Sequence, residues 1–351
     1  MSERSAPPGG APSAPAWPAD EWQGPVLAVR LSSLGDVALT TGPLGLLRRR
    51  RPDLEIDLLT RRAFAPALAG NPDRCGVRIA DGEAAPGRRY GTVLDWQGGA
   101  RGRRAAQRYA PGARRIGAPR ASLHRRLLVW GGQRIPAPEP FVVRLARSIA
   151  GARVALDELV PRIVAEPAWR EWSAARLGSR PRPEAGWVAL APGAAHRQKA
   201  IPERLIAEVT EGLLASGWGV VRIVPPERGQ QTPVCASEGG EGAWRFAGDL
   251  APVIALLDQV QLFVGSDSGL LHVATGVGTP AIGIYGSTVP ALGYAPLGHA
   301  RAIGVDLACR PCHIHGADRC WLGHRRCWSE LRAAQVWEAV RALLPQASLP
   351  E

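Results

Sequence analysis

At 351 residues, 46% hydrophobic and 21% charged, the chain is long enough for two domains and too apolar to be disordered as a whole. No apolar run approaches the roughly 20 residues that cross a bilayer, and the Pro-, Ala-, Ser- and Gly-rich start has no continuous apolar core, which argues against a secretory leader. A cytoplasmic protein is expected, its six cysteines reduced rather than bridged.

The net charge of +12 is unevenly spread. Residues 1–165 carry 26 Lys+Arg against 14 Asp+Glu, whereas the remainder is balanced at 17 each. The first half is therefore expected to meet an anionic partner. No aromatic-interleaved basic strand or helix-turn-helix accompanies the charge, so nucleic acid is not the partner expected. Lys199 is the only lysine among 43 basic residues, which marks it as a position that wants a compact ammonium.

In chain order, residues 1–24 read as a disordered extension. Pro25–Leu31 reads as a buried strand, running into the polar turn Ser32-Ser33-Leu34-Gly35-Asp36 and a helix over Val37–Arg51 kinked at Gly42-Pro43. Leu54–Thr60 is a second strand, followed by Arg61-Arg62 and a short helix. Thr92–Trp96 is another strand, closing in Asp95-Trp96-Gln97-Gly98-Gly99. The helix after it sets Arg101, Arg104 and Arg108 on one face. Residues 25–166 thus form a first α/β domain, and 167–186, polar and then Pro-rich, a linker.

The alternation restarts in a second domain over 187–330. Strand Trp187–Ala191 leads to Pro192-Gly193-Ala194 and Lys199, then a helix over Pro202–Ser216, a strand over Gly219–Val224 and a helix over Ala251–Asp258. The stretch Gln261–Thr288 is the most informative. An apolar strand stops at Gly265-Ser266-Asp267-Ser268-Gly269, helical spacing follows through Leu270, Leu271, Val273 and Ala274, and a further strand ends at Gly286-Ser287-Thr288. In parallel α/β units such turns face the ligand crevice, and a helix start there suits an anion. A helix over 331–345 and a tail over 346–351 complete the chain. Two βα halves and one linker predict paired Rossmann-like domains around a cleft.

Four separated segments, VLAVRLSSLGDVALTTGPLGLLRRRRPDLEIDLL, VLDWQGGARGRR, APGAAHRQKAIPE and FVGSDSGLLHVATGVGTPAIGIYGST, resemble glycosyltransferase family nine, the ADP-heptose:lipopolysaccharide heptosyltransferases. The Asp95-x-Gln97-Gly98 element looks closest to the heptosyltransferase I branch. The resemblance implies an α/β GT-B fold with an N-terminal acceptor domain and a C-terminal nucleotide-sugar domain. It implies inverting transfer of heptose from ADP-heptose to an anionic lipid-linked inner-core oligosaccharide, at the inner face of the cytoplasmic membrane, with no cofactor at the chemical step. No Asp-x-Asp pair suggests a metal-held diphosphate. The sequence departs from the family at Ile201-Pro202, Pro225-Pro226-Glu227 and Val289, where adenosine and ribose contacts are expected.

Asp36 is then the expected general base, with helix capping as its competing role. Lys199 is expected both to bind the leaving diphosphate and to assist its departure. Ser266, Asp267, Ser268, Gly269, His272 and Thr288 complete the expected nucleotide-sugar set. Ser33, Gly35, Arg61, Arg62, Gln97, Arg101, Arg104 and Arg120 are the acceptor candidates. Cys309, Cys312, Cys320 and Cys327 resemble a cysteine set near the C-terminus of family members, and their spacing suits structural Zn or Fe. A protein acceptor or another nucleotide sugar is the alternative within the class. A non-catalytic nucleotide-sugar or polyanion binder on the same scaffold is the competing class, against which Asp36 and Lys199 both speak.

Overall fold

The predicted apolar runs become strands, and the carboxyl ends of four of them open toward one crevice. The computed structural model describes residues 16–344 except 75, 82–87, 181–182, 229, 231 and 239–241. The first half contains β1 (Val26–Val29), α1 (Leu34–Arg50), β2 (Ile56–Thr60), α2 (Pro66–Ala69), β3 (Gly76–Ile79) and β4 (Thr92–Asp95). These lead to α3 (Gly99–Tyr109), β5 (Arg114–Gly117), α4 (Ser122–Gly131) and α5 (Phe141–Ala150). After α6 (Pro167–Gly178) come β6 (Gly186–Ala191), α7 (Glu203–Ala215), β7 (Trp218–Val224), β8 (Val234–Ser237), β9 (Ala243–Ala247) and α8 (Leu250–Leu257). The chain continues through β10 (Leu262–Ser266), α9 (Gly269–Val277), β11 (Ala281–Ile284), β12 (Ala300–Ile303), α10 (Arg326–Ser329) and α11 (Ala333–Leu343).

The first sheet has five parallel strands in the order β3-β2-β1-β4-β5. The second has seven in the order β12-β11-β10-β6-β7-β9-β8, parallel apart from the β8–β9 pair. In a doubly wound sheet the ligand crevice lies where strand order reverses. That point falls between β1 and β4 in the first sheet and between β6 and β10 in the second. The loops leaving these four strands are the polar turns singled out in the sequence.

Helices α1 and α9 pack against each other across the two domains. Their first turns meet closely: a Cβ built on Gly269 would lie 2.8 Å from Leu34 Cβ, and one on Gly35 2.9 Å from His272. Gly35 and Gly269 therefore let the two helix starts converge on the crevice floor.

Three expectations are corrected. Residues 16–24 are not a loose lead-in, because Ala19 and Trp22 are buried in the main core and Asp20 pairs with Arg50 at 2.6 Å. Residues 1–15 and the tail from 345 lie outside the described residues. Second, α1 begins at Leu34 rather than Val37, and it continues through Pro43. Its flanks are pinned by α5 and α9, and Gly42 fits so tightly beneath Leu159 that no Cβ could be accommodated. Packing of a buried helix offsets the lost backbone bond at proline. Third, much of the expected linker is helix α6, which packs on α8 and sets Trp172 against Phe246 at 6.0 Å. Arg180 and Glu184 flank its end, and residues 181–182 lie outside the described residues.

Candidate functional site

A cavity of about 700 Å³ lies between the domains, walled by the loops after β1, β4, β6 and β10, by α4 and α5, and by the segment around His315. That volume is in the range of a small-molecule site.

On the first-domain side, Asp36 occupies the third position of α1, with Ser33 as the N-cap in a reciprocal capping box. Its Oδ2 accepts hydrogen bonds from the Ser33 amide at 2.9 Å and the Ser33 hydroxyl at 2.8 Å. The same oxygen pairs with the Arg30 guanidinium at 2.7 Å. Burial pushes the carboxyl up, but the Arg30 charge and the Ser33 donors outweigh it and hold Asp36 below the usual carboxylate range. The other oxygen, Oδ1, is buried and has no partner among the described residues. One carboxylate oxygen is thus held for orientation while the second keeps its lone pairs. A capping oxygen and an unengaged oxygen thus coexist in one side chain.

Arg30 is itself fixed, donating to the Trp96 carbonyl at 2.6 Å and lying 5.0 Å over the Phe141 ring. Gln97 accepts from the amides of Leu31 at 2.9 Å and Ser32 at 3.3 Å, so it braces the β1 exit loop while lining the cavity. Asp95 ties its own loop through the Gly98 amide at 2.7 Å and pairs with Arg115 at 2.9 Å.

Across the cavity, the Lys199 ammonium lies 2.8 Å from Asp267 Oδ2, which also accepts from the Thr288 hydroxyl at 2.6 Å. Ser268 caps α9 in position but without a side-chain cap bond, and its buried hydroxyl has no partner among the described residues. Free amides at the start of α9, an unpartnered hydroxyl and an ammonium together form a pocket suited to a phosphate-like anion. His272 is buried between the two sides. Burial lowers its basicity against the pull of Asp267 and Asp36, which favours the neutral ring.

The structure gathers Ser33, Gly35, Asp36, Gln97, Arg120, Lys199, Asp267, Ser268, Gly269 and His272 into this one cavity. Ser266 and Thr288 stand behind its wall: the Ser266 hydroxyl donates to the Gly193 carbonyl at 2.6 Å, and Thr288 orients Asp267. Arg61, Arg62, Arg101 and Arg104 do not line the cavity; Arg101 approaches its rim, 3.5 Å from the Ser32 hydroxyl. Sequence reasoning missed Arg30, Arg125, Arg144 and Tyr294, which do line it. Arg30 could have been suspected, since it ends an otherwise apolar strand immediately before the polar turn.

The four cysteines for which structural Zn or Fe is expected lie near one another, the Cys312 thiol feeling Cys309, Cys327 and Cys320. Among the described residues no group of three or more Cys, His, Asp or Glu comes together to hold a metal ion. Cys327 is buried at the edge of the second-domain core, and the Cys312 thiol donates to the Cys309 carbonyl at 3.1 Å. Burial, with the neighbouring cysteines, pushes the Cys312 thiol up to about 11.

Comparison with known proteins agrees with this architecture. The family described as Glycosyltransferase family 9 (heptosyltransferase) matches residues 133–317. A curated relative, lipopolysaccharide heptosyltransferase 3 of Escherichia coli, is 30% identical over 113 residues, spanning 29% of this chain and about a third (32%) of that protein. The structure of E. coli ADP-heptose LPS heptosyltransferase II superposes with a TM-score of 0.64 at 18% identity, covering 92% of this chain and 98% of that one. E. coli heptosyltransferase WaaC with ADP-2-deoxy-2-fluoro heptose gives 0.60 at 17% identity, covering 91% and 99%. At such identities the structural likeness establishes the fold, two Rossmann-like domains in the GT-B arrangement. The family match spans more than half of the chain and includes the Lys199 and Ser266–Gly269 side of the cavity. With that match and that fold, the chain belongs to glycosyltransferase family 9, the heptosyltransferases, and is a glycosyltransferase.

Proposed function

We propose that this enzyme transfers heptose from ADP-heptose, with inversion, to a hydroxyl of an anionic, lipid-linked inner-core lipopolysaccharide acceptor. The first domain, residues 25–166, would take the acceptor and the second, 187–330, the nucleotide sugar. The observation that carries this reading is the pairing of a carboxylate oxygen with no partner among the described residues, Asp36 Oδ1, with an anion pocket opposite it. Asp36 takes the acceptor proton as the hydroxyl oxygen bonds to the anomeric carbon. The bond from that carbon to the diphosphate oxygen breaks, and ADP leaves. Lys199 and the α9 amides stabilise the charge that grows on the diphosphate. Arg120 and Arg125, in the first-domain wall, take the role expected of Arg101 and Arg104 toward acceptor carboxylates or phosphates. Names of relatives support the donor and acceptor classes: one neighbour is solved with an ADP-heptose analogue, and the curated relative is a lipopolysaccharide enzyme. No helix among the described residues is long and apolar enough to cross a membrane, so contact with the inner membrane face would be peripheral.

The reading is tested by incubating the protein with ADP-heptose and deacylated inner-core acceptor and following released ADP and the mass of the acceptor. Transfer of one heptose per ADP is expected. ADP alone should also stabilise the fold by about 2.7 kcal/mol at 100-fold its dissociation constant. Failure of any nucleoside diphosphate to stabilise the protein would remove the donor site as assigned.

A pH prediction follows from the Arg30–Asp36 pair. Because Asp36 is held below the usual carboxylate range, its base form persists at mildly acidic pH and is lost only as pH falls through that lowered value. Arg30→Met removes the charge that lowers it and leaves burial, which raises it. The acidic limb of kcat/KM should therefore move to higher pH, by about one to three units. A limb that stays in place would mean that Arg30 does not set the protonation of the reacting carboxylate.

A further inference from the structure

Helix α4 turns three sides to three surroundings. Leu128, and Ala121 just before the first turn, are buried against the body, at 2% and 8% exposure. Ser122 and Arg125 line the cavity. The remaining face carries Leu123, Arg126, Leu127 and Trp130, spaced i, i+3, i+4 and i+7. Leu123 is 70%, Leu127 44% and Trp130 92% exposed. A surface helix ordinarily turns charge to water on this side. Three large apolar side chains in one exposed stripe call for an occupant.

The charge along this stretch of chain points to its chemistry. Between residues 98 and 134 the chain has ten arginines and neither Asp nor Glu, and all ten but Arg125 are exposed. We propose that this face of α4, with Arg126 on it and the exposed arginines near it in sequence, docks on the anionic phospholipid surface of a bilayer. The Leu123–Leu127–Trp130 stripe enters the boundary between headgroups and acyl chains, where an indole ring is favoured. The arginines meet lipid phosphates while their stems lie along the apolar boundary. A second copy fits poorly, since meeting face to face would set the same arginines against each other. The docking face and the cavity wall are adjacent sides of one helix. A lipid-linked acceptor could therefore keep its acyl chains in the bilayer and present its sugars to the cavity; this last step rests on the acceptor reading above, the docking itself does not.

The test uses the full chain without nucleotide or acceptor, sedimented with phosphatidylcholine vesicles with and without phosphatidylglycerol. Binding to the phosphatidylglycerol vesicles, weakened by salt, and little binding to phosphatidylcholine alone are expected. The triple variant Leu123→Ser, Leu127→Ser, Trp130→Ser should partition at least about tenfold less, with an unchanged melting temperature because the replaced side chains are exposed. Arg126→Glu should weaken binding to phosphatidylglycerol vesicles on its own. Wild-type protein that ignores phosphatidylglycerol vesicles, or a triple variant that binds them equally, would overturn the proposal. So would a wild-type dimer that the triple variant converts to monomer, because the stripe would then be a protein interface. Vesicle binding by a protein that transfers no heptose would sink the catalytic reading alone, and transfer without vesicle binding would sink the docking alone.

Discussion

Asp36→Asn is expected to lower kcat by about 10²–10⁴-fold while the protein still folds and binds ADP. The amide is nearly isosteric and its oxygen can still accept from the Ser33 amide and hydroxyl, which donate at 2.9 and 2.8 Å. The capping box therefore survives. What is lost is the negative charge beside Arg30 and the ability of Oδ1 to take a proton. Loss of the charge leaves a half-buried guanidinium without its counter-ion, so a modest fall in melting temperature is expected as well. Melting temperature and kcat separate the two roles of this residue. A capping residue would give an earlier melt with wild-type kcat, and that outcome would remove Asp36 as the base. In the variant the acidic limb of the pH profile should also vanish, since no carboxylate remains to be protonated there.

Lys199→Ala should act on both binding and chemistry. The ammonium lies 2.8 Å from Asp267 Oδ2 at the edge of the α9 anion pocket, so on the proposed reading its charge would be felt by the bound diphosphate and more strongly by the departing one. A loss of about 10²–10³-fold in kcat/KM is expected, divided between a raised donor KM and a lowered kcat. Part of that loss comes from Asp267, which keeps the Thr288 hydroxyl but loses its cation and then faces the diphosphate as a like charge. Adding Asp267→Asn to Lys199→Ala should therefore recover some ADP affinity. A double variant no better than the single would assign the whole effect to the missing ammonium. Equal affinity for ADP in wild type and Lys199→Ala, measured by calorimetry, would place the diphosphate elsewhere.

Much of the architecture was legible before any coordinates, for a local reason. Apolar runs such as Val26–Val29 and Leu262–Ser266 are buried on both sides, and each ends in a short polar turn where the chain must leave the sheet. That pattern needs only neighbouring residues to declare itself, and it located the turns holding Asp36 and Asp267–Gly269. The capping of α1 was legible in kind but assigned to the wrong residue: Ser33 is the N-cap, and Asp36 answers it from the third helical position.

Tertiary structure decided what local patterns could not. Trp22 and Ala19 sit in a Pro-rich segment whose composition suggests disorder, and only the pocket they fill orders them. Pro43 stays inside a helix because α5 and α9 clamp its flanks. The arginines are the clearest case. Arg101 and Arg104 share a helix face that is visible in the sequence, but the cavity is lined by Arg30, Arg120, Arg125 and Arg144, which come from a strand end, a loop and two helices. Spacing along the chain reports only which side chains share a face of one element. Which faces converge is set by the strand orders β2-β1-β4 and β11-β10-β6, and by two glycines that let α1 and α9 meet; those are long-range choices made by packing.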